Sequence, residues 1–196
     1  GVVGLHAKLI KRSIISQNNL SFEEKLKFLE DEVFMFDVLA FTRSMKYVRK
    51  QLYTYNINSD RNVKSARTES FVRPFPISFF KLMKNHAQNS FRQRGLAAKE
   101  SEKLGDQAFI YWIIFTLVLR SLSIAKGKMN LEEGIKYRKK LIDDLTTNSD
   151  ISKSIRNYSP SREESQWIPR ALAWRSSKLL KFTLDRRVKE ILRTRA

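Results

Sequence analysis

The chain has 196 residues, with 38 Lys+Arg against 20 Asp+Glu and a formal net charge of +18. Hydrophobic residues make up 42%, which excludes wholesale disorder, and the scarcity of Gly (6) and Pro (4) argues against a turn-rich β architecture. With no cysteine, disulfides and thiolate metal sites are excluded, and the two histidines, His6 and His86, are too far apart in sequence for an all-histidine site. The charge implies a polyanionic partner: nucleic acid, anionic lipid or a phosphorylated substrate.

The first residues, G-V-V-G-L-H-A-K, lack the charged and apolar regions of a signal peptide and read like the middle of a domain. Residues 2–11 predict a short strand, followed by one helical turn and a loop. Ser21 and Glu24 have capping-box spacing. A helix is expected over 30–45, where Leu29, Val33, Phe36 and Ala40 form one apolar stripe and Phe34, Val38, Phe41 and Met45 another. Residues 46–57 alternate, with Tyr47, Arg49, Gln51, Tyr53 and Tyr55 on one side, which predicts a strand of period two. Residues 58–70 read as a polar loop. Helices are then expected over 78–94, 97–126 and 131–145, the last capped by Asn130 with Glu133 in its first turn. Residues 146–160 read as a polar connector. Ser161 and Glu164 suggest a second capping box, opening a helix toward 194 that Pro169 could interrupt.

The run Glu30-Asp31-Glu32 stands at the head of the first apolar helix. Carboxylates there face unpaired N–H groups and the positive end of the macrodipole, each gaining roughly 0.3–1 kcal/mol. A partly desolvated carboxylate at a helix start also suits a general base on a sugar hydroxyl.

The order K-L-I-K-R-S-I-I-S-Q-N-N-L-S-F, E-D-E-V-F, L-Y-T-Y-N-I-N and a polar loop ending in Ser65 resembles family-2 glycosyltransferases of bacterial capsule, polysaccharide and teichoic acid synthesis. The resemblance covers about residues 2–68. It implies that Asp31 is the general base, flanked by Glu30, with Glu32 an exposed helix acid. It further implies substrate contacts from Lys8, Tyr53, Tyr55 and the Arg61, Lys64 and Ser65 loop. His6, just before the matched Lys8, either contacts substrate or is a half-buried strand histidine. His86 reads as an exposed helix histidine. The family's D-x-D metal pair is absent, and Asp143-Asp144 is no substitute. The divalent Mg or Mn expected of the whole enzyme would therefore be held mostly by a nucleotide-binding half outside this chain. Without that half the chain is not expected to turn over.

The resulting expectation is an α+β but mostly helical fold. Residues 1–70 would be the end of a catalytic domain with strands of a glycosyltransferase A-type sheet. Residues 71–196 would be a helical extension. Residues 108–119, A-F-I-Y-W-I-I-F-T-L-V-L, are too short a charge-free run for a membrane span and suit a buried core helix. Residues 170–196 carry nine basic residues against Asp185 and Glu190, interleaved with leucines at near-helical spacing, and suit an anionic membrane surface. The expected partners are a nucleotide-sugar donor, a saccharide or lipid-linked acceptor and the inner face of the cell membrane; a homo-oligomer is compatible. The alternative is a basic helical module that binds nucleic acid or membrane without catalysis. Nucleic acid is the weaker reading, because the basic residues are spread along the chain without a zinc site or helix-turn-helix signature.

Overall fold

The computed structural model describes residues 7–26, 30–50, 77–126, 131–162 and 164–194. It is mostly helical: α1 (Arg12–Gln17), α2 (Glu30–Ala40), α3 (Ile77–Gln93), α4 (Ala98–Ala125), α5 (Leu131–Thr147), α6 (Ser149–Ser154), a 3-10 turn (Ile155–Asn157), α7 (Trp167–Ala173) and α8 (Ser177–Thr194). No strand forms among the described residues. The expected strands are therefore missing over 7–11 and 46–50. Ala7 takes a left-handed φ of 56° in a turn, which breaks an extended run, and no described segment offers 46–50 a ladder. The remainder of both expected strands lies outside the described residues, as do the 58–70 loop and the Asn130 cap.

The chain divides into two units, one made of Gly1–Ser70 and Lys81–Gly105, the other of Phe71–Phe80 and Asp106–Ala196. In the first unit, Phe34, Met35 and Val38 of α2 are buried and gather Ile10, Ile14, Ile15, Leu20 and Leu39 around them. Phe22 stacks on Phe34 with ring centroids 4.4 Å apart. The N-N pair ends α1. Asn19 adopts φ 49°, a conformation asparagine tolerates, and Leu20 N–H donates to the Ile15 carbonyl at 3.1 Å. That bond closes the helix and turns Leu20 toward the same apolar cluster. Helix α2 stops at Ala40, short of the expected 45. Thr42 Oγ1 donates to the Val38 carbonyl at 2.7 Å, and Met45 is left exposed. The Ser21–Glu24 spacing produces a turn instead of a helix start. Gly95, at φ 84°, closes α3 in the same manner as Asn19 closes α1.

In the second unit α4 supplies the central core residues Phe109, Ile110, Ile113 and Leu117, all nearly inaccessible. This helix is long and apolar enough to cross a membrane by length and composition. In this fold its apolar residues are largely spent on the protein's own core, as expected for 108–119. Tyr111, Trp112 and Phe115 form an aromatic group along one side, with Tyr111 and Phe115 part-exposed. Gly134 lets α5 approach closely, since a Cβ there would stand 2.9 Å from Ile124 Cγ1. Arg120 is buried, donates to the Tyr137 hydroxyl and lies 4.9 Å from that ring's centroid.

The expected polar connector 146–160 is mostly ordered helix. Asn148 Oδ1 accepts from the N–H groups of Asp150 (2.9 Å) and Ile151 (3.1 Å), which starts α6. Ile151, Ile155 and Tyr158 are buried. Gln107 fastens the following loop to α4 by exchanging two hydrogen bonds with Ser159, at 2.7 and 2.8 Å.

The Ser161–Glu164 pair also starts no helix. Ser161 N–H does donate to Glu164 Oε2, at 2.5 Å, but only a turn results. Pro169 does not interrupt its helix. It sits in the first turn of α7, where its missing N–H is no loss. The break falls at Arg175 instead, with φ 54°. Its guanidinium donates to the Thr146 (3.1 Å) and Thr147 (2.9 Å) carbonyls at the end of α5, which offsets the backbone strain.

Candidate functional site

Helix α2 begins with its three acids in the first turn, Glu30, Asp31 and Glu32, as its macrodipole favours. Glu30 and Asp31 are both half-buried. One turn further, Val33, Phe34 and Met35 are fully inside, so the acids sit on the rim of the apolar cluster. The three are not equivalent. Glu32 Oε2 is shut off from solvent with no hydrogen-bond partner. Burial, and after it the charge of Asp31, push the Glu32 carboxyl up to about 8. The expectation of an exposed acid at Glu32 is thus corrected: it is a desolvated acid that holds its proton near neutrality. The first turn consequently presents less negative charge than its composition suggests.

Lys8, the other expected site residue among those described, lies half-buried in the segment leading to α1. His6, Tyr53, Tyr55, Arg61, Lys64 and Ser65 lie outside the described residues. The described part of the expected site is therefore the Glu30–Asp31 turn and Lys8.

A second polar group, absent from the sequence expectations, lies on the same helix. His86 of α3 is not an exposed histidine: its side chain is 26% accessible and its Nδ1 lies 3.2 Å from Asp37 Oδ2. Ser90, one turn on, donates to Asp37 Oδ1 at 3.5 Å, and Glu23 approaches His86 Nε2 at 3.9 Å. The hydrogen bond to Asp37 is the largest influence on His86 and raises its pKa; desolvation opposes it, and the charges of Asp37 and Glu23 reinforce it. Ser90 bonds the carboxylate and not the imidazole, so this is a structural tie between α2 and α3 and not a nucleophile relay. The one sequence signal for it is the i, i+4 spacing of His86 and Ser90.

Among the described residues no group of three or more His, Asp or Glu side chains could hold a metal ion. They do not fit the divalent ion that the resemblance implies.

No family model, curated protein or solved structure matches this chain.

Proposed function

We propose that this chain is the acceptor-side portion of an inverting glycosyltransferase, moving a sugar from a nucleotide-sugar to a cell-surface polysaccharide or lipid-linked acceptor at the inner face of the cell membrane. The observation that carries the reading is the Glu30–Asp31 turn. A carboxylate stands at the head of an apolar helix, on the rim of the Phe22–Phe34 cluster, within the ordered motifs K-L-I-K-R and E-D-E-V-F. There Asp31 takes the proton from an acceptor hydroxyl. The acceptor oxygen forms its bond to the anomeric carbon as the bond to the diphosphate breaks, and the diphosphate leaves with the electron pair. The helix fixes the direction of the carboxylate, and its half-buried setting limits competing water.

Glu32, kept protonated beside Glu30 and Asp31, adds no third negative charge at neutral pH to repel the leaving phosphates. In that protonated form Glu32 cannot accept the acceptor's proton.

The test is Asp31→Asn in the protein carrying its donor-binding half. Transfer is expected to fall by about 100-fold or more, with nucleotide-sugar binding retained. Wild-type turnover in that variant rejects the assignment. If Glu32→Gln abolishes transfer and Asp31→Asn does not, the base is Glu32.

A further inference from the structure

The spacing of leucines along 170–196 suits a stripe offered to a membrane. The fold uses them otherwise. Leu180, Leu184 and Val188 face the core of their unit, with Leu180 and Leu184 wholly inaccessible. What α8 turns outward is a different surface. Lys178, Lys181, Phe182, Arg186, Lys189 and Arg193 are all exposed, and at 100° per residue they fall on one side of the helix. Phe182, 64% accessible, stands near the middle of that side. It shares one open surface recess with Arg186, Lys189 and Arg193.

The two acids of α8 are already engaged. Asp185 accepts from Arg138 at 2.7 Å, and Glu190 pairs with Arg186 (3.1 Å) and Arg187 (3.5 Å). Lys178, Lys181, Lys189 and Arg193 have no carboxylate partner among the described residues. The outward side therefore holds uncompensated positive charge around a single exposed aromatic ring. Trp174, just before the helix, is also exposed, at 63%.

We infer that the outward face of α8 docks on an anionic lipid bilayer, with Phe182 entering the headgroup region and the surrounding lysines and arginines meeting lipid phosphates. Charge complementarity supplies the attraction. Phe182 selects a bilayer over a nucleic acid, because α8 carries one isolated ring and not a row of rings on which successive bases could stack. This inference deepens the membrane location given in the proposed function, but the surface is separate from the Glu30–Asp31 turn and its test reads no glycosyl transfer, so docking and the base assignment can fail separately.

The full chain is floated with vesicles of phosphatidylcholine, with and without phosphatidylglycerol, at low and high salt. Flotation is expected only with the anionic vesicles and is expected to weaken with salt. Each of Lys178→Ala, Lys181→Ala and Lys189→Ala should weaken partitioning about fivefold. Phe182→Ala should weaken it several-fold even at high salt, and Phe182→Trp should restore it. These residues are exposed, and circular dichroism checks that each variant folds. Equal flotation with neutral vesicles, or flotation indifferent to Phe182→Ala, overturns the proposal. So does salt-dependent binding to duplex DNA or RNA without vesicle binding.

Discussion

His86 Nδ1 lies 3.2 Å from Asp37 Oδ2, joining two helices across 49 positions of sequence. The ordinary value for the imidazole is 6.5, and in the fold it is raised, first by the bond to Asp37. A histidine whose folded value is raised stabilises the fold fully below its unfolded value. That contribution is lost as pH rises through the folded value. For a part-exposed pair it amounts to about 1 kcal/mol. The first unit should therefore loosen as pH rises above the ordinary imidazole value of 6.5, and His86→Gln should remove that part of the slope. Trp112, Trp167 and Trp174 all belong to the second unit. Tryptophan fluorescence would miss the change, whereas hydrogen exchange at the α2 amides reads it directly. Unchanged pH dependence in His86→Gln contradicts the assigned role.

Glu32 acts in the same direction by a different route. Its carboxyl rises from 4.5 to about 8 because ionisation would strand a charge in an apolar setting. Between those values the folded state holds a proton that the unfolded state has lost, so stability falls as pH rises from about 4.5 and levels off above about 8. A tenfold difference in proton affinity between the folded and unfolded states is worth about 1.4 kcal/mol. Solvent still reaches part of this side chain, and discounting for that screening leaves a gain of about 2 kcal/mol for Glu32→Gln on the alkaline side. The same hydrogen-exchange measurement checks it. Destabilisation by Glu32→Gln at that pH would mean that the carboxyl is charged and partnered in the fold.

The long helices are legible because their signal is periodic. The expected 78–94, 97–126 and 131–145 are found as Ile77–Gln93, Ala98–Ala125 and Leu131–Thr147. Residues 149–157 are hidden by composition. Ile151, Ile155 and Tyr158 have helical spacing, but they are embedded in Ser, Asn, Lys and Arg. The break at Arg175 has no glycine or proline to announce it, since two carbonyls of another helix hold that residue in place. At the candidate site, helix-dipole reasoning locates the acids in the first turn of α2. It cannot tell which of three consecutive acids turns inward, because tertiary packing sets that. Beyond the i, i+4 spacing of His86 and Ser90, the His86–Asp37 tie leaves no local trace, as it depends on how α2 and α3 meet.

Gly105 marks a close approach between α4 and α3. A Cβ there would overlap Cγ of Gln88. Alanine improves helix propensity by about 1 kcal/mol, but overlap in a packed contact costs about 1–3 kcal/mol. Gly105→Ala should therefore destabilise the first unit modestly. Gln88→Ala in the same chain removes the obstructing side chain and should recover most of the loss. A double-mutant cycle on urea midpoints followed by circular dichroism measures the coupling. Additive effects would show that the two positions do not meet.

Leu184 separates the two ways in which the basic C-terminal helix could meet a membrane. If its leucine stripe entered lipid, Leu184→Ala would weaken vesicle binding and spare folding. In the fold Leu184 is wholly inaccessible on the inner side of α8, opposite Phe182. Truncating such a side chain removes its transfer energy and leaves a cavity, which together cost about 3 kcal/mol. Leu184→Ala should thus lower the urea midpoint of the second unit, read by tryptophan fluorescence. Vesicle flotation should hold at temperatures where the variant remains folded. Phe182→Ala should do the reverse, changing flotation and leaving the midpoint within about 0.5 kcal/mol of wild type. The opposite pairing of outcomes would mean that α8 leaves the core when it meets lipid.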